Sequence, residues 1–554
     1  MPLLDCRLGI DVGGTNTDAV VLDASDHVLA KAKVACTPDI IGGITAVLEA
    51  VLRAPAVEPD RITHVMLGTT HATNAVLERR KLRRVAVIRI GAPATYAIRP
   101  LFAWPADLAD VICAASVIVG GGIEFDGREI VEFDSEGTAR FLAGLDGAAD
   151  SVAITSVFSP VSPRHELLAA EIVRRELGEV HVSLSHEIGS VGLLERENAT
   201  ILNAALVDVA RDVATAMTAA LQAYDLTPEI FLAQNDGTLM AVEHALQHPV
   251  LTIGSGPANS IRGAAFLSGA TDSLVADVGG TSTDIGVLVH GFPRESSHGV
   301  EIGGIRTNFR MPDLVTIALG GGSVVGGGPA DPKIGPHSVG FRLSQQALVF
   351  GGQTPTLTDS AVAAGRAVLG DPGLIGGHAE LLRSAARRAD DMLAEAIDRV
   401  KSAKGDRTLI AVGGGSILIP DRLPGISEVI RPETFDAANA VGAAIASVSG
   451  QVDRIFHLGS QGREAILREA TEEAKDNAVA AGAEADSVQI VEIEEIPLAY
   501  LNTPTVRIRV KAAGSLGGLR ERPDERQASL APNHHIRNTA SAPAAIRSGR
   551  TSEA

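Results

Sequence analysis

Aromatic side chains, cysteine and positive charge are all scarce in this chain. Aromatics make up only 3% of the 554 residues, with a single Trp, so Ala, Val, Ile and Leu must fill the interior. Small aliphatic cores of that kind suit layered α/β packing. The three cysteines, Cys6, Cys36 and Cys113, stand in apolar stretches without metal-type spacing. That excludes a disulfide framework and points to thiols packed as small hydrophobes. Basic residues number 48 against 67 acidic ones, a net charge of −19, which argues against nucleic acid or an anionic membrane as a partner. No run is apolar enough for a membrane span, and the first residues enter a strand pattern without a charged leader. A soluble, cytoplasmic enzyme is therefore expected. A Gly-x-x-x-x-Gly-Lys-Ser/Thr loop is also missing, and no dinucleotide glycine fingerprint is well placed, which removes the two commonest routes to nucleotide binding.

Glycine, by contrast, is abundant at 58 residues, and one glycine-bearing phrase occurs twice. Asp11–Asp18 reads Asp-Val-Gly-Gly-Thr-Asn-Thr-Asp, and Asp277–Asp284 reads Asp-Val-Gly-Gly-Thr-Ser-Thr-Asp; only Asn16 and Ser282 differ. Each copy lies between two short apolar runs, the pattern of strand, tight turn, strand. Paired glycines let the backbone approach a bulky anion, and successive backbone N–H groups can cradle it. The leading Asp can face a phosphate only through a cation, typically Mg²⁺ with waters retained. Two such turns facing one another would hold one polyphosphate between them.

The remaining chain is organised around these turns. Val65–Leu67 reads as a buried strand ending in Gly68-Thr69-Thr70-His71-Ala72-Thr73-Asn74, whose hydroxyls can cap a helix or face a ligand. Gly91–Glu132 reads as an irregular stretch holding Trp104. Leu193 to about Tyr224 reads as one long helix or two. Ile230–Leu232 feeds the turn Gln234-Asn235-Asp236-Gly237, and Ser255-Gly256-Pro257 opens a further helix. Gly320–Ser323 is either a flexible loop or a ligand-facing one. Leu409–Val412 ends in Gly413-Gly414-Gly415-Ser416, a loop suited to close approach by a nucleoside. From Gly514 onward the composition turns to Gly, Arg, Ser, Pro and His, as in a disordered tail. The duplicated plan predicts an α/β fold of two actin-like ATPase (ribonuclease H-like) domains, with an inserted substrate-side region and a small C-terminal α+β segment.

The order of these phrases over about residues 5–450 resembles the hydantoinase/oxoprolinase family, A-type subunit. The motifs that carry it are Asp11–Asp18, Gly68–Ala75, Arg196-Glu197, Asn235–Met240, Ser255–Ala258, Asp277–Asp284, Gly320–Ser323, Thr356–Asp359 and Gly413–Ser416. The resemblance implies four regions: 1–190, the family's N-terminal region with the first phosphate phrase; 191–450, the core with the second phrase and the nucleoside loop; 451–513, a small C-terminal segment; and 514–554, a tail. It implies ATP and Mg²⁺ as cofactors. Asp11, Asp277 and Thr281 are then the catalytic residues, and Asp11 and Asp277 the metal-facing carboxylates. Gly13, Gly14, Thr15, Asn16, Gly279, Gly280, Thr281 and Ser282 line the phosphates, and Gly413, Gly414 and Gly415 the nucleoside. Thr69, Thr70, Thr73, Asn74, Asn235 and Asp236 fall on the substrate side. Two stretches depart from the family pattern: Asn16 stands where an aromatic is usual, and Gly340-Phe341-Arg342-Leu343-Ser344 replaces a Pro-Gly-Pro-Ala-Cys-Tyr stretch.

The implied reaction is ATP-dependent opening of a cyclic amide or imide (a hydantoin, 5-oxoproline or a lactam) through phosphorylation of the ring carbonyl oxygen. The implied partners are that small molecule and either a B-type subunit or a second copy of the chain. A ketone carboxylase subunit or a small-molecule kinase would use the same fold, and a nucleotide-binding regulatory protein would keep the nucleotide site while ignoring lactams and ketones.

Overall fold

The computed structural model describes residues 6–517, except 36–39, 190, 297–298, 310, 402–403, 459–461 and 499–503. Cys36 and most of the expected tail, 518–554, lie outside the described residues. Both copies of the repeated phrase form the same β-hairpin. Strand Cys6–Val12 pairs antiparallel with Asn16–Leu22, placing Asp11 opposite Asp18. Strand Ser273–Val278 pairs with Thr283–Val289, placing Asp277 opposite Asp284. The turns close alike, Gly13 N–H donating to Asn16 O at 3.1 Å and Gly279 N–H to Ser282 O at 2.9 Å.

Each hairpin sits inside its own sheet. The first sheet has nine strands in the order Gln489–Pro497, Thr505–Gly514, Val448–His457, Leu239–Ala241, Glu229–Ala233, Ile62–Thr69, Cys6–Val12, Asn16–Leu22, Val28–Ala35. The second runs Phe292–Pro293, Thr283–Val289, Ser273–Val278, Arg407–Val412, Ile426–Ile430, with Leu314–Ile317 also on Thr283–Val289. Beside each leading strand lies a parallel neighbour. Ile62–Thr69 sets Gly68 against Asp11, and Arg407–Val412 sets Val412 against Asp277. The two loops that follow, Thr69-Thr70 and Gly413-Gly414, therefore occupy equivalent places beside the two turns. Segment 451–513 adds the helix Arg463–Ala480, and its strands extend the first sheet rather than building one of their own.

A third, four-stranded parallel sheet (Cys113–Gly120, Val85–Ala92, Ser151–Ser156, His181–Leu184) is inserted into the first half. The stretch expected to be irregular, 91–132, thus contains the helix Ala106–Ile112 and an edge strand. That strand is mostly half-buried, so its residues Cys-Ala-Ala-Ser-Val-Ile-Val-Gly show neither a clean alternation nor a fully apolar run. Trp104 is buried there and donates from Nε1 to Asn198 Oδ1 at 2.7 Å. The long helical run divides into Leu193–Ala205 and Val207–Gln222. Separate aliphatic cores fill the three layers, centred on Leu8, Ile10 and Leu48, on Leu274, Leu382 and Leu409, and on Ile88, Ile154 and Val173. Each such side chain, fully buried, contributes about 1.5–3 kcal/mol.

The halves meet through two crossing helices, Ser255–Ser268 and Ala438–Ala444. A Cβ on Gly263 would stand 1.9 Å from Ala438 O, and one on Gly442 would stand 1.8 Å from Asn259 O. Only glycine permits this backbone-to-backbone contact. Among the described residues no helix is long and apolar enough to cross a membrane.

Candidate active site

The repeated turns face one another. An ideal Cβ on Gly280 lies 3.7 Å from Thr15 Cγ2 and 3.9 Å from its Oγ1. Behind the second turn, the chain from Gly320 to Gly322 runs against it, Gly321 N–H donating to Gly279 O at 3.0 Å and Gly322 N–H to Gly280 O at 2.7 Å. A Cβ on Gly320 would stand 2.5 Å from the backbone nitrogen of Thr281. Gly320–Ser323 is thus a buttress for Gly279, Gly280 and Thr281, not a flexible loop. The Thr358 hydroxyl donates to Gly321 O at 2.9 Å, from a helix that Thr356 and Asp359 close with reciprocal capping bonds.

Asp11 ends its strand buried. Its Oδ2 accepts from Asn439 Nδ2 at 3.2 Å, and its Oδ1 has no hydrogen-bond partner. Burial, reinforced by Asp18 and Asp277, raises the Asp11 pKa to about 7, against the opposing effects of Asn439 and Lys33. Burial and Asp284 likewise raise Asp277 to about 6, against Ser260, Lys33 and Asn439. Two carboxylates that burial and neighbouring carboxylates keep from ionising require either protons or a cation. Asp18 and Asp284 close the two hairpins. Asp18 pairs with Lys33 at 2.6 Å, and Asp284 accepts from Thr316 Oγ1 at 2.5 Å.

The expected nucleoside loop packs on the second turn. Gly415 N–H donates to Val278 O at 2.8 Å, and a Cβ on Gly413 would meet Asp277 Oδ1 at 2.3 Å. Gly14 and Gly414 each have nothing within 4 Å of an added Cβ, so both turn toward open space. An unpartnered carboxylate oxygen, a second carboxylate with raised proton affinity and open glycine backbone at Gly14 and Gly414 together fit Mg²⁺ and a nucleotide. The described residues hold no group of three or more His, Cys, Asp or Glu that could bind a metal.

Thr69–Asn74 borders the first turn. Thr70 donates to Val12 O from its N–H at 3.2 Å and from its hydroxyl at 3.3 Å. Asn74 Nδ2 donates to the Thr70 hydroxyl at 3.4 Å, and Thr73 Oγ1 accepts from Gly254 N–H at 3.4 Å. The Thr69 hydroxyl bonds His71 Nδ1 at 2.6 Å. Asn235 is buried with Nδ2 unpartnered, and Asp236 belongs to a different setting. Burial would raise the Asp236 pKa, but Lys511, 2.8 Å away, holds it low. Asp236 also accepts from Thr238 and from Gln451 Nε2. Its carboxylate is committed to tying the C-terminal strand down.

Sequence reasoning missed Asn439, Lys33, Asn259 and Ser260. Asn439 had a usable signal: it is the one polar side chain in the helix Ala438–Ala444. Lys33 stands on the outermost strand of its sheet, paired with Asp18, where a Lys normally passes for an edge charge.

The sequence profile described as "Hydantoinase/oxoprolinase N-terminal region" matches residues 7–177, and the one described as "Hydantoinase/oxoprolinase" matches 196–403. The caprolactamase subunit alpha of Pseudomonas jessenii is 28% identical over 468 residues, covering 79% of this chain and 65% of that one. The acetophenone carboxylase gamma subunit of Aromatoleum aromaticum is 26% identical, covering 83% and 70%, and 5-oxoprolinase 1 of Arabidopsis thaliana 28%, covering 65% and 31%. This chain therefore spans under two thirds of the caprolactamase subunit and about a third of the plant protein. Among solved structures, an ATP-dependent caprolactamase from Pseudomonas jessenii superposes with a TM-score of 0.72 at 21% identity, over 93% of this chain and 88% of that one. A nucleotide-free acetone carboxylase gives 0.67 at 17%, over 94% and 90%. The fold is the duplicated actin-like ATPase architecture, and the chain belongs to the hydantoinase/oxoprolinase family.

Proposed function

We propose that this chain is the nucleotide-using subunit of an ATP-dependent enzyme that opens a cyclic amide or imide, such as a hydantoin, 5-oxoproline or a lactam. The observation that carries the proposal is the approach of the two glycine turns across the paired carboxylates Asp11 and Asp277. An unstrained cyclic amide is a poor electrophile. ATP supplies a phosphoryl group to the carbonyl oxygen, water then cleaves the ring C–N bond, and ADP and phosphate leave. Asp11 and Asp277 would hold Mg²⁺. The backbone N–H groups of Gly13–Asn16 and Gly279–Ser282 orient the phosphates, with Thr15 and Thr281 as hydroxyl donors. Gly413–Gly415 lets the nucleoside approach the strand end. Thr69, Thr70, Thr73 and Asn74 stand beside the first turn, where a ring carbonyl would meet the terminal phosphate. The protein's share is positioning and electrostatics.

A ketone carboxylase subunit is the second reading, supported by the likeness to the acetophenone carboxylase gamma subunit. Two of the three named relatives, the caprolactamase and the acetophenone carboxylase chains, are subunits, which supports a second, different chain as partner. The test is phosphate release from Mg·ATP by the purified chain across hydantoins, 5-oxoproline, lactams, cyclic imides and ketones, with Asp277→Ala as control. Stimulation by one ring compound, lost in the variant, establishes the amidase. A requirement for bicarbonate and a ketone establishes the carboxylase. Absence of Mg·ATP binding refutes both.

A further inference from the structure

Asn259 lies on the first turns of the helix Ser255–Ser268 and is wholly buried, and neither Nδ2 nor Oδ1 has a hydrogen-bond partner. Among the described residues it is the one buried amide side chain unpartnered at both ends, so the accounting is the same whichever way the amide is turned. A buried unpaired amide costs free energy, and native proteins keep one where something else completes it. The missing partner lies close by. An ideal Cβ on Gly68 would be 2.5 Å from Asn259 Nδ2 and 2.6 Å from Asp11 Oδ1, so these two atoms are no more than about 5 Å apart. Asp11 Oδ1 is unpartnered as well. A donor, Asn259 Nδ2, and an acceptor, Asp11 Oδ1, both buried and no more than about 5 Å apart, suit one bridging water, which accepts from the amide and donates to the carboxylate. A bare cation would leave the amide N–H unpaired.

We propose that Asn259 is a positioning residue: it holds an internal water shared with Asp11 Oδ1. Through that water it fixes the carboxylate, while Asn439 fixes the other oxygen, in the orientation that receives the cation of Mg·ATP. This rests on the nucleotide site proposed above. The helix crossing does not need the amide, because it is the backbone oxygen of Asn259, not its side chain, that abuts Gly442.

The experiment compares wild type, Asn259→Ala and Asn259→Ser in the full chain. It measures the nucleotide-free melting temperature and the affinity for ATP with Mg²⁺ and with EDTA. Asn259→Ala should weaken Mg·ATP binding about tenfold or more, as loss of a partner behind a metal ligand does. ATP affinity in EDTA should stay unchanged, and the melting temperature should not fall. Asn259→Ser, which keeps a group able to hold the water, should recover most of the loss. A lower melting temperature in Asn259→Ala, or equal losses with and without Mg²⁺, would show a structural role and overturn the proposal. So would unchanged Mg·ATP binding in a wild-type chain that binds it. Failure of the wild type to bind Mg·ATP at all would instead refute the nucleotide site.

Discussion

Replacing Asp11 by Asn should make the nucleotide-free protein more stable while abolishing its use of ATP. The Asp11 carboxyl is 3% exposed, and burial with Asp18 and Asp277 nearby lifts its pKa from 3.8 to about 7. A group whose folded pKa is raised carries no penalty below its unfolded pKa. It loses stability as pH rises toward the folded value, and above that the penalty is complete. Three units correspond to about 4 kcal/mol. Asn is isosteric and cannot ionise, so at pH 8 it escapes most of that penalty. With about 1 kcal/mol/K of unfolding entropy for a chain of this size, the melting temperature should rise by up to about 4 °C. At pH 5 the wild-type carboxyl is mostly protonated in the fold, and the gap should shrink to less than half. Differential scanning fluorimetry without nucleotide, at pH 5 and pH 8, reads both values. Adding Mg·ATP should raise the wild type and leave the variant where it was. An Asp11→Asn protein that melts below wild type at pH 8, or a gap that ignores pH, would refute the idea that this carboxylate is held at an energetic cost for a cation.

Three further substitutions probe the frame around the site. Gly68→Ala places a Cβ 2.6 Å from Asp11 Oδ1 and 2.5 Å from Asn259 Nδ2. It should cost about 1–3 kcal/mol in denaturant unfolding and reduce ATP hydrolysis more than it reduces stability. Gly442→Ala drives a methyl into Asn259 O at 1.8 Å; the crossing helices must separate, and the chain should express as aggregate or melt far below wild type. Lys511→Met strips the shared partner from Asp236 and Glu295, each 2.8 Å from the ammonium. About 3–5 kcal/mol of stability should be lost, with greater protease sensitivity across residues 505–517 as the readout.

The repeated phrase was legible because its chemistry is local. Asp-Val-Gly-Gly-Thr specifies a strand end, a turn and its donors within five residues, and both copies form the same register. The Gly413 loop was legible for the same reason. What escaped is held by distant partners. Asn439 reaches Asp11 across 428 positions, and Lys511 reaches Asp236 from the far end of the chain. Nothing around Asn235-Asp236 distinguishes a turn that faces a ligand from one that anchors a strand, because the anchoring ammonium lies some 275 positions later. Gly320–Ser323 was ambiguous on similar grounds: a glycine run that lies flat against another backbone has the same composition as one that moves.

If the proposed site receives ATP, the electrostatics would make the nucleotide and the metal a single ligand. The chain carries a net charge of −19, and the cleft adds two buried carboxylates whose proton affinities are raised, Asp11 by burial with Asp18 and Asp277, and Asp277 by burial with Asp284. Lys33 is the one cation among the groups that shift both, and it is already paired with Asp18. Free ATP would therefore enter against the field, with only backbone dipoles and hydroxyls to receive it. Mg·ATP enters with the charge that the two carboxylates lack. With the cation bound the carboxylates would ionise, and the penalty held in the nucleotide-free protein would be released into binding. On this account Mg²⁺ matters more to affinity here than in a site lined with lysine and arginine. Affinity for Mg·ATP should also rise between pH 5 and pH 8, as the protons that compete for Asp11 and Asp277 are lost.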